Sequence, residues 1–159
     1  MAWSGSSIFR QYVADLIENT TAMDFTADTV HAALFNNTTA PDNDVTAANS
    51  AYAVGQWVVG NEVTDGTNWD TGGEPLSSKV VTLTADTITC DAADTPQSGA
   101  SCTLANVFGC QVYDQSLATP VDNQGFCYNY FGGSQSVTAG NFTIVWHANG
   151  VFRFTVTQA

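Results

Sequence analysis

The stretch NFTIVWHANGVFRFTV, residues 141–156, carries the strongest fold signal in this chain. Its central dipeptide, Asn149-Gly150, favours a tight two-residue turn, because a type I′ turn requires positive φ at both central positions. Strand-forming residues flank the dipeptide on both sides. The stretch therefore predicts a β-hairpin.

Both faces of this predicted hairpin are largely apolar. In the two-residue register, Trp146 faces Arg153 on one side and His147 faces Phe152 on the other. The first pair is placed for a cation–π contact worth about 0.5–2 kcal/mol. Because a half-exposed strand in a monomer carries one polar face, we expect the hairpin to be covered on both sides. The cover is either a second layer of the same domain or another subunit.

The composition is typical of a β-rich protein with a neutral polar surface. Charged residues make up 11% of the 159 residues, against a usual value of about 25%. The length predicts one domain over residues 1–159. Acidic residues outnumber Lys and Arg by 15 to 3, which gives a net charge of −12. This charge disfavours nucleic acid and anionic membranes, so neither is expected as a partner.

The chain shows no sequence signal for export or for a membrane span. No apolar run reaches the length of a spanning helix. The first residues, MAWSGSSIFRQYVADLIEN, lack the basic segment and cleavage site of a signal peptide. We expect synthesis in a cytoplasm without export.

The four cysteines leave two interpretations open. Cys90 and Cys102 lie nearly symmetrically about one turn-like segment, and Cys110 and Cys127 about another. Each pair could face its partner across a hairpin, and a disulfide closing such a loop contributes about 3 kcal/mol. The alternative is four buried free thiols, which are usual in a reducing cytoplasm. The absence of a CxxC pair argues against a zinc site.

One helix and a series of strands are predicted. Apolar residues recur at i, i+4 spacing over residues 8–19, which predicts an amphipathic helix capped by Ser6 or Ser7. Turn signals recur about every ten residues, as in a sandwich or barrel. A short helix is predicted over 47–54, and strands over 29–35, 56–63, 79–83, 87–91, 102–108, 110–113 and 126–131. The predicted fold is mainly β, a β-sandwich or barrel with one N-terminal α-helix.

No set of residues has the spacing of a known catalytic or metal site. His31 and His147 have no motif partner. Asp42-Asn43-Asp44 starts like a calcium loop but lacks its Gly and its distal Glu. Three carboxylates of one irregular segment would act as acid and base only if they met, namely Glu62, Asp65 and Asp70. The sequence therefore predicts no catalytic residue, no cofactor and no metal.

Aromatic and apolar residues are the stronger candidates for function. Five aromatic side chains could stack on sugars, although packing in the core or between subunits is the favoured interpretation: Trp3, Trp57, Trp69, Tyr128 and Tyr130. The candidate interface residues come from the predicted helix and hairpin: Ile8, Phe9, Tyr12, Trp146, Phe152, Arg153 and Phe154.

Several segments, in order along the chain, resemble structural proteins of tailed-bacteriophage virions. They are FTADTVHAALF (25–35), APD (40–42), NEVTD (61–65) followed by Gly72-Gly73 and Pro75-Leu76, LANVFGCQVYD (104–114), YFGG (130–133) and AGNFTIVWHANGVFRF (139–154). The resemblance implies a small β-rich head or tail component without catalytic residues. The four cysteines and the long loop between Cys90 and Cys102 depart from the pattern of that family.

We therefore expect a virion structural protein, most of all a head decoration or minor capsid protein on the outer capsid surface. It would assemble in the host bacterial cytoplasm, with the major capsid protein and copies of itself as partners. An acidic chain inside the shell would repel packaged DNA, which favours the outside. The alternatives are a tail tube or minor tail component, a carbohydrate-binding module on the virion, and a small hydrolase.

Overall fold

The computed structural model describes residues 2–157. Two short 3₁₀ helices, Gly55–Trp57 and Val59–Asn61, accompany the regular elements. In chain order the strands and α-helices are β1 (Ser7–Ile8), α1 (Arg10–Glu18), β2 (Val30–Phe35), α2 (Ala47–Ser50), β3 (Glu74–Pro75), β4 (Val80–Thr84), β5 (Thr87–Asp91), β6 (Thr95–Pro96), β7 (Cys102–Asp114), β8 (Gly125–Gly140), β9 (Thr143–Ile144) and β10 (Phe152–Thr155). No helix in the described range is long and apolar enough to cross a membrane.

The strands form three antiparallel sheets. The largest has the order β1-β8-β7-β2-β3, the second has the order β10-β5-β4, and β6 pairs with β9. The prediction of a mainly β fold with an N-terminal helix is confirmed. The sheets do not close into a barrel, because each has two edge strands.

Aromatic side chains fill the core between these elements. Phe152 of β10 lies 6.0 Å from Phe126 of β8 and 6.2 Å from Tyr12 of α1, measured between ring centroids. Trp57 of the first 3₁₀ helix lies 5.0 Å from Phe35 of β2 and 5.8 Å from Trp3. Such pairs contribute about 0.5–1.5 kcal/mol each beyond their buried area. They join the helix, the 3₁₀ segment and two of the sheets into one core.

The helix α1 is shorter than the sequence predicts at its start. Ser7 and Ile8 pair with Tyr128 and Cys127 as the edge strand β1. The N-cap is therefore Phe9, which gives no side-chain hydrogen bond, and the predicted serine cap is wrong. The end agrees with the prediction, since Asn19 adopts the left-handed conformation with φ of 55°.

The predicted hairpin over 141–156 is wrong. Its first arm, β9, pairs with β6, and its second arm, β10, pairs with β5. A turn does form between them, because the Gly150 N–H donates to the His147 carbonyl at 2.7 Å. Gly150 has φ of 81°, but Asn149 is not in the left-handed region. The dipeptide therefore marks a turn without joining its flanks into one ribbon.

Because the hairpin does not form, Trp146 does not lie opposite Arg153. The Trp146 indole N–H donates to the Thr95 hydroxyl at 3.1 Å. Arg153 lies opposite Thr89 of β5. Trp146 lies after the end of β9 and Arg153 lies in β10, and no cation–π contact between them occurs in the described residues.

Two further strand predictions need correction. Residues 56–63 form the two 3₁₀ helices with a single β-bridge, Phe35 to Glu62. The strand predicted over 126–131 does not end there, because β8 runs on through Gly132-Gly133-Ser134 with φ of 79° at Gly132 and 151° at Gly133. Register shifts along the β7–β8 pair accommodate these irregular residues.

Candidate functional site at the edge of the three-stranded sheet

The strand β4 is an edge strand with an unusual composition. All five of its residues, VVTLT, are exposed. Val80 is 44% exposed, Val81 38% and Leu83 76%. Edge strands of soluble monomers are normally protected by charges, Pro, bulges or a covering segment. None of these protects β4 in the described structure.

The outer side of β4 also carries unpaired backbone groups. Thr84 and Thr87 close the two-residue turn to β5, and such a closing pair is hydrogen-bonded. The N–H and C=O groups of Val81 and Leu83 therefore point away from β5. Within residues 2–157, no backbone hydrogen bond links Val80–Thr84 to a segment other than β5. The edge can accept one more strand.

One face of this sheet is apolar from the core to the exposed edge. Leu83 lies opposite Ile88, which lies opposite Phe154. The neighbouring row joins Val81, Cys90 and Phe152 in the same way. Cys90 and Phe152 are buried, whereas the β4 end of each row is exposed. The core thus continues into an apolar surface that residues 2–157 do not cover.

The charge pattern leaves this edge open to a partner. Val80–Thr84 contain no charged residue in a chain with a net charge of −12. The preceding Lys79 ammonium is engaged by the Asp28 carbonyl, to which it donates a hydrogen bond. An apolar edge with free backbone groups is suited to β-augmentation, in which a neighbour adds a strand.

The interface residues predicted from the sequence occupy other positions. Phe9, Tyr12 and Phe152 are buried within the chain and offer no surface to a neighbour. Arg153 is exposed, and the remaining candidates are half-buried: Ile8, Trp146 and Phe154. Of the whole set, Phe154 alone lies on the Leu83–Ile88 row. The sequence signal for β4 is the short uncharged run VVTLT. Neither periodicity nor composition shows that no other segment packs on this strand.

Each of the two histidines contacts backbone groups. His31 Nδ1 lies 3.2 Å from the Gly72 carbonyl oxygen and 3.1 Å from that of Gly73. Burial lowers the pKa of His31. His147 is exposed, and its Nδ1 accepts from the Asn149 N–H at 3.1 Å. Neither contacts a nucleophile in the described residues.

Two carboxylates of the irregular segment hold the loop in place. Glu62 accepts from the Tyr52 hydroxyl at 2.6 Å and from the Gly72 N–H at 2.8 Å. Burial raises the pKa of Glu62 despite these two bonds. The backbone N–H groups of Asn68 and Trp69 lower the pKa of Asp65 to about 2. These groups are therefore engaged in local structure.

The acidic loop at residues 42–44 is likewise structural. Asp42 accepts from the Asp44 N–H at 2.9 Å, and Asp44 forms an exposed ion pair with Arg10 at 3.1 Å. The Asn43 amide donates to the Ser7 hydroxyl at 2.6 Å. No cluster of three metal-ligating side chains occurs among the residues the structure describes.

All four cysteines are buried free thiols in the structure. In the β7–β8 pair, Cys110 lies opposite Asn129 and Cys127 opposite Val112, so the two thiols do not face each other directly. Burial raises the pKa of Cys90 to about 11 and that of Cys110 to about 12. Thiols with such pKa values are poor nucleophiles at neutral pH.

The five candidate aromatics pack inside the chain. Trp57 and Trp69 are fully buried, and Trp3 and Tyr128 are nearly so. Tyr130 is half-buried and stacks on Trp3 with ring centroids 6.3 Å apart. They therefore give no exposed stacking platform of the kind that sugar binding would need.

No protein-family model, curated protein or solved structure matches this chain.

Proposed function

We propose that this chain is a structural subunit of a tailed-bacteriophage virion, placed on the outer surface of the head as a decoration or minor capsid protein. The observation that carries the proposal is the edge strand β4, which is exposed and uncharged and pairs only with β5 in the described residues. Such an edge is a hazard for a free monomer and becomes useful once a neighbour covers it. The order of virion-like segments in the sequence supports the same class of protein.

The docking contact is strand addition at β4. A strand of a shell subunit pairs with the outward N–H and C=O groups of Val81 and Leu83. The same contact removes the exposed Leu83 side chain and its neighbour Ile88 from water. Main-chain bonds supply affinity, while the apolar row on one face fixes the register.

The net charge supports a place outside the head. A chain with a charge of −12 is repelled by packaged DNA, and an acidic coat keeps particles apart in solution. The partners are the major capsid protein and further copies of this chain beside it. No catalytic step forms part of this role.

The first test is the protein composition of purified virions. Peptide mass spectrometry on separated heads and tails should find this chain in many copies per head. Recovery in the tail fraction would instead support a tail tube or minor tail component. Absence from both fractions would reject a virion role.

The second test addresses β4 directly. Leu83→Lys places a charge on the edge and should abolish binding to heads that lack this chain. The control is Ile17→Lys, which adds the same charge at a residue of α1 that is 81% exposed. It should bind like the wild type. Equal binding by both variants would remove β4 from the docking contact.

A further inference from the structure

A polar groove lies on a part of the chain that the docking edge does not use. It has a volume of about 780 Å³. Its walls are the segment after β2, the segment after the second 3₁₀ helix and the first half of β7. Asn36, Asn37 and Thr38 form the first wall, and Asn106 and Phe108 belong to the last.

Two asparagine side chains in this groove have fixed orientations. Asn36 Oδ1 accepts from the Thr38 N–H at 2.7 Å, and Asn37 Oδ1 accepts from the Trp3 N–H at 3.3 Å. A backbone N–H is only a donor, so each amide oxygen is assigned without ambiguity. Each Nδ2 group is then a free donor pair, because no described residue accepts from it.

A third asparagine adds to this set from the opposite wall. Asn106 Oδ1 accepts from the Ser134 hydroxyl at 3.4 Å, and its Nδ2 has no acceptor among residues 2–157. The groove thus presents three amide groups, and in Asn36 and Asn37 the oxygen is held by a backbone N–H while the Nδ2 donors stay free. It is suited to a ligand rich in oxygen acceptors.

The charges in the groove select a neutral ligand. The described residues that line the groove include neither Lys nor Arg. The one acid there is Glu62, both of whose oxygens accept bonds from the chain itself, from Gly72 and Tyr52. In a chain with a net charge of −12, a phosphate, sulfate or carboxylate ligand would meet repulsion without a counter-charge.

Phe108 supplies the apolar part of the site. Phe108 is half-buried and lines the same groove as the amide donors. Sugars combine hydroxyl oxygens with apolar C–H faces, so they suit a site with placed polar groups and one aromatic surface. We propose that this groove binds a neutral saccharide through Asn36, Asn37 and Asn106, with Phe108 against the sugar ring.

This site goes beyond the virion role, because it is distinct from β4 and neither proposal depends on the other. It also differs from the buried tryptophans that the sequence suggested for sugar stacking.

The test uses the full chain on a printed array of neutral oligosaccharides built from glucose, galactose, mannose and N-acetylhexosamines. Sialylated and sulfated glycans provide the anionic arm. Binding to neutral glycans with none to the anionic arm is the expected result. Binding to no glycan, or preferential binding to the anionic ones, would overturn the proposal.

Matched variants locate the site. Asn37→Asp keeps the acceptor for the Trp3 N–H and removes the free donor, and it should weaken binding of the best neutral glycan about tenfold. Asn149→Asp adds the same charge at an exposed residue outside the groove and should bind like the wild type. Phe108→Leu keeps an apolar side chain but removes the ring, and it should also lose affinity. Unchanged binding by both groove variants would contradict the assignment.

Discussion

The Tyr52 hydroxyl donates to Glu62 Oε2 at 2.6 Å and ties the irregular segment 62–73 to the large sheet. The Tyr52 ring stacks on Tyr113 of β7, with ring centroids 4.6 Å apart and an interplanar angle of 10°. Tyr113 in turn donates to the Gly72 carbonyl at 2.8 Å. Stacking and hydrogen bonds therefore form one network, which also holds Glu62 in the wall of the groove.

This network predicts the effect of removing one hydroxyl. Tyr52→Phe keeps the stacked ring but leaves a half-buried Glu62 oxygen without its donor, which should lower the free energy of unfolding by about 1–3 kcal/mol. The control is Tyr130→Phe, whose hydroxyl has no partner in the described residues. Urea unfolding measures both variants. Equal effects would show that the Tyr52 bond contributes nothing specific.

Gly73 is expected to tolerate no side chain. Its φ is +74°, and an added Cβ would lie 2.0 Å from the Ala32 carbonyl oxygen. Gly73→Ala should therefore destabilise by more than about 3 kcal/mol, since backbone overlap adds to left-handed strain. Gly66→Ala is the matched control, because Gly66 has φ of +71° but open space around it. It should cost about 1–2 kcal/mol in thermal or urea unfolding.

Substitutions in the turn before β10 distinguish the observed fold from the hairpin expected from the sequence. Asn149 is not left-handed, so Asn149→Ala should change stability by less than about 0.5 kcal/mol. Gly150 has φ of +81° and its Cβ would lie 2.5 Å from the Cys90 carbonyl oxygen. Gly150→Ala should destabilise by at least about 2 kcal/mol. A large loss in both variants would favour the type I′ hairpin.

Asp114 should make stability fall as the pH rises. Burial, with a smaller contribution from the neighbouring Asp28, raises the pKa of Asp114 from 3.8 to about 6. The folded state then binds the proton more tightly than the unfolded state, so the stabilisation is full below pH 4 and is lost as the pH rises through 6. The change is about 1–3 kcal/mol.

The difference between the wild type and Asp114→Asn isolates this contribution. Free energies of unfolding at pH values from 4 to 7 should fall more steeply for the wild type, because Asn cannot ionise. His31, whose pKa burial lowers, acts in the opposite direction and is common to both proteins. Parallel pH profiles would show that Asp114 is not responsible.

The thiols should be unreactive in the folded protein. All four are buried, and burial raises the pKa of each. Iodoacetamide should label none of them at neutral pH and all of them after unfolding in urea. Mass spectrometry under non-reducing conditions should give the fully reduced mass. A mass deficit from lost thiol hydrogens would establish disulfides instead.

Local chemistry determined a good part of this protein from the sequence alone. Asn19 ends α1 in the left-handed conformation, and Gly72-Gly73 adopt the positive φ values that their type suggests. The strands β2, β4 and β5 lie within a residue of their predicted bounds. These features depend on neighbours in sequence, so composition and periodicity are enough to place them.

Tertiary structure decided which strands meet and which remain open. The two segments beside Asn149-Gly150 have apolar faces whether or not they pair with each other. In the structure, β9 pairs with β6 and β10 pairs with β5. Backbone hydrogen bonds are alike in every strand, so pairing follows from the packing of distant rings such as Phe152 on Phe126. The same packing buries Phe152 of β10 and leaves all of β4 exposed. That is why the candidate docking edge lies at Val80–Thr84 and not in the segment that its sequence marks most strongly.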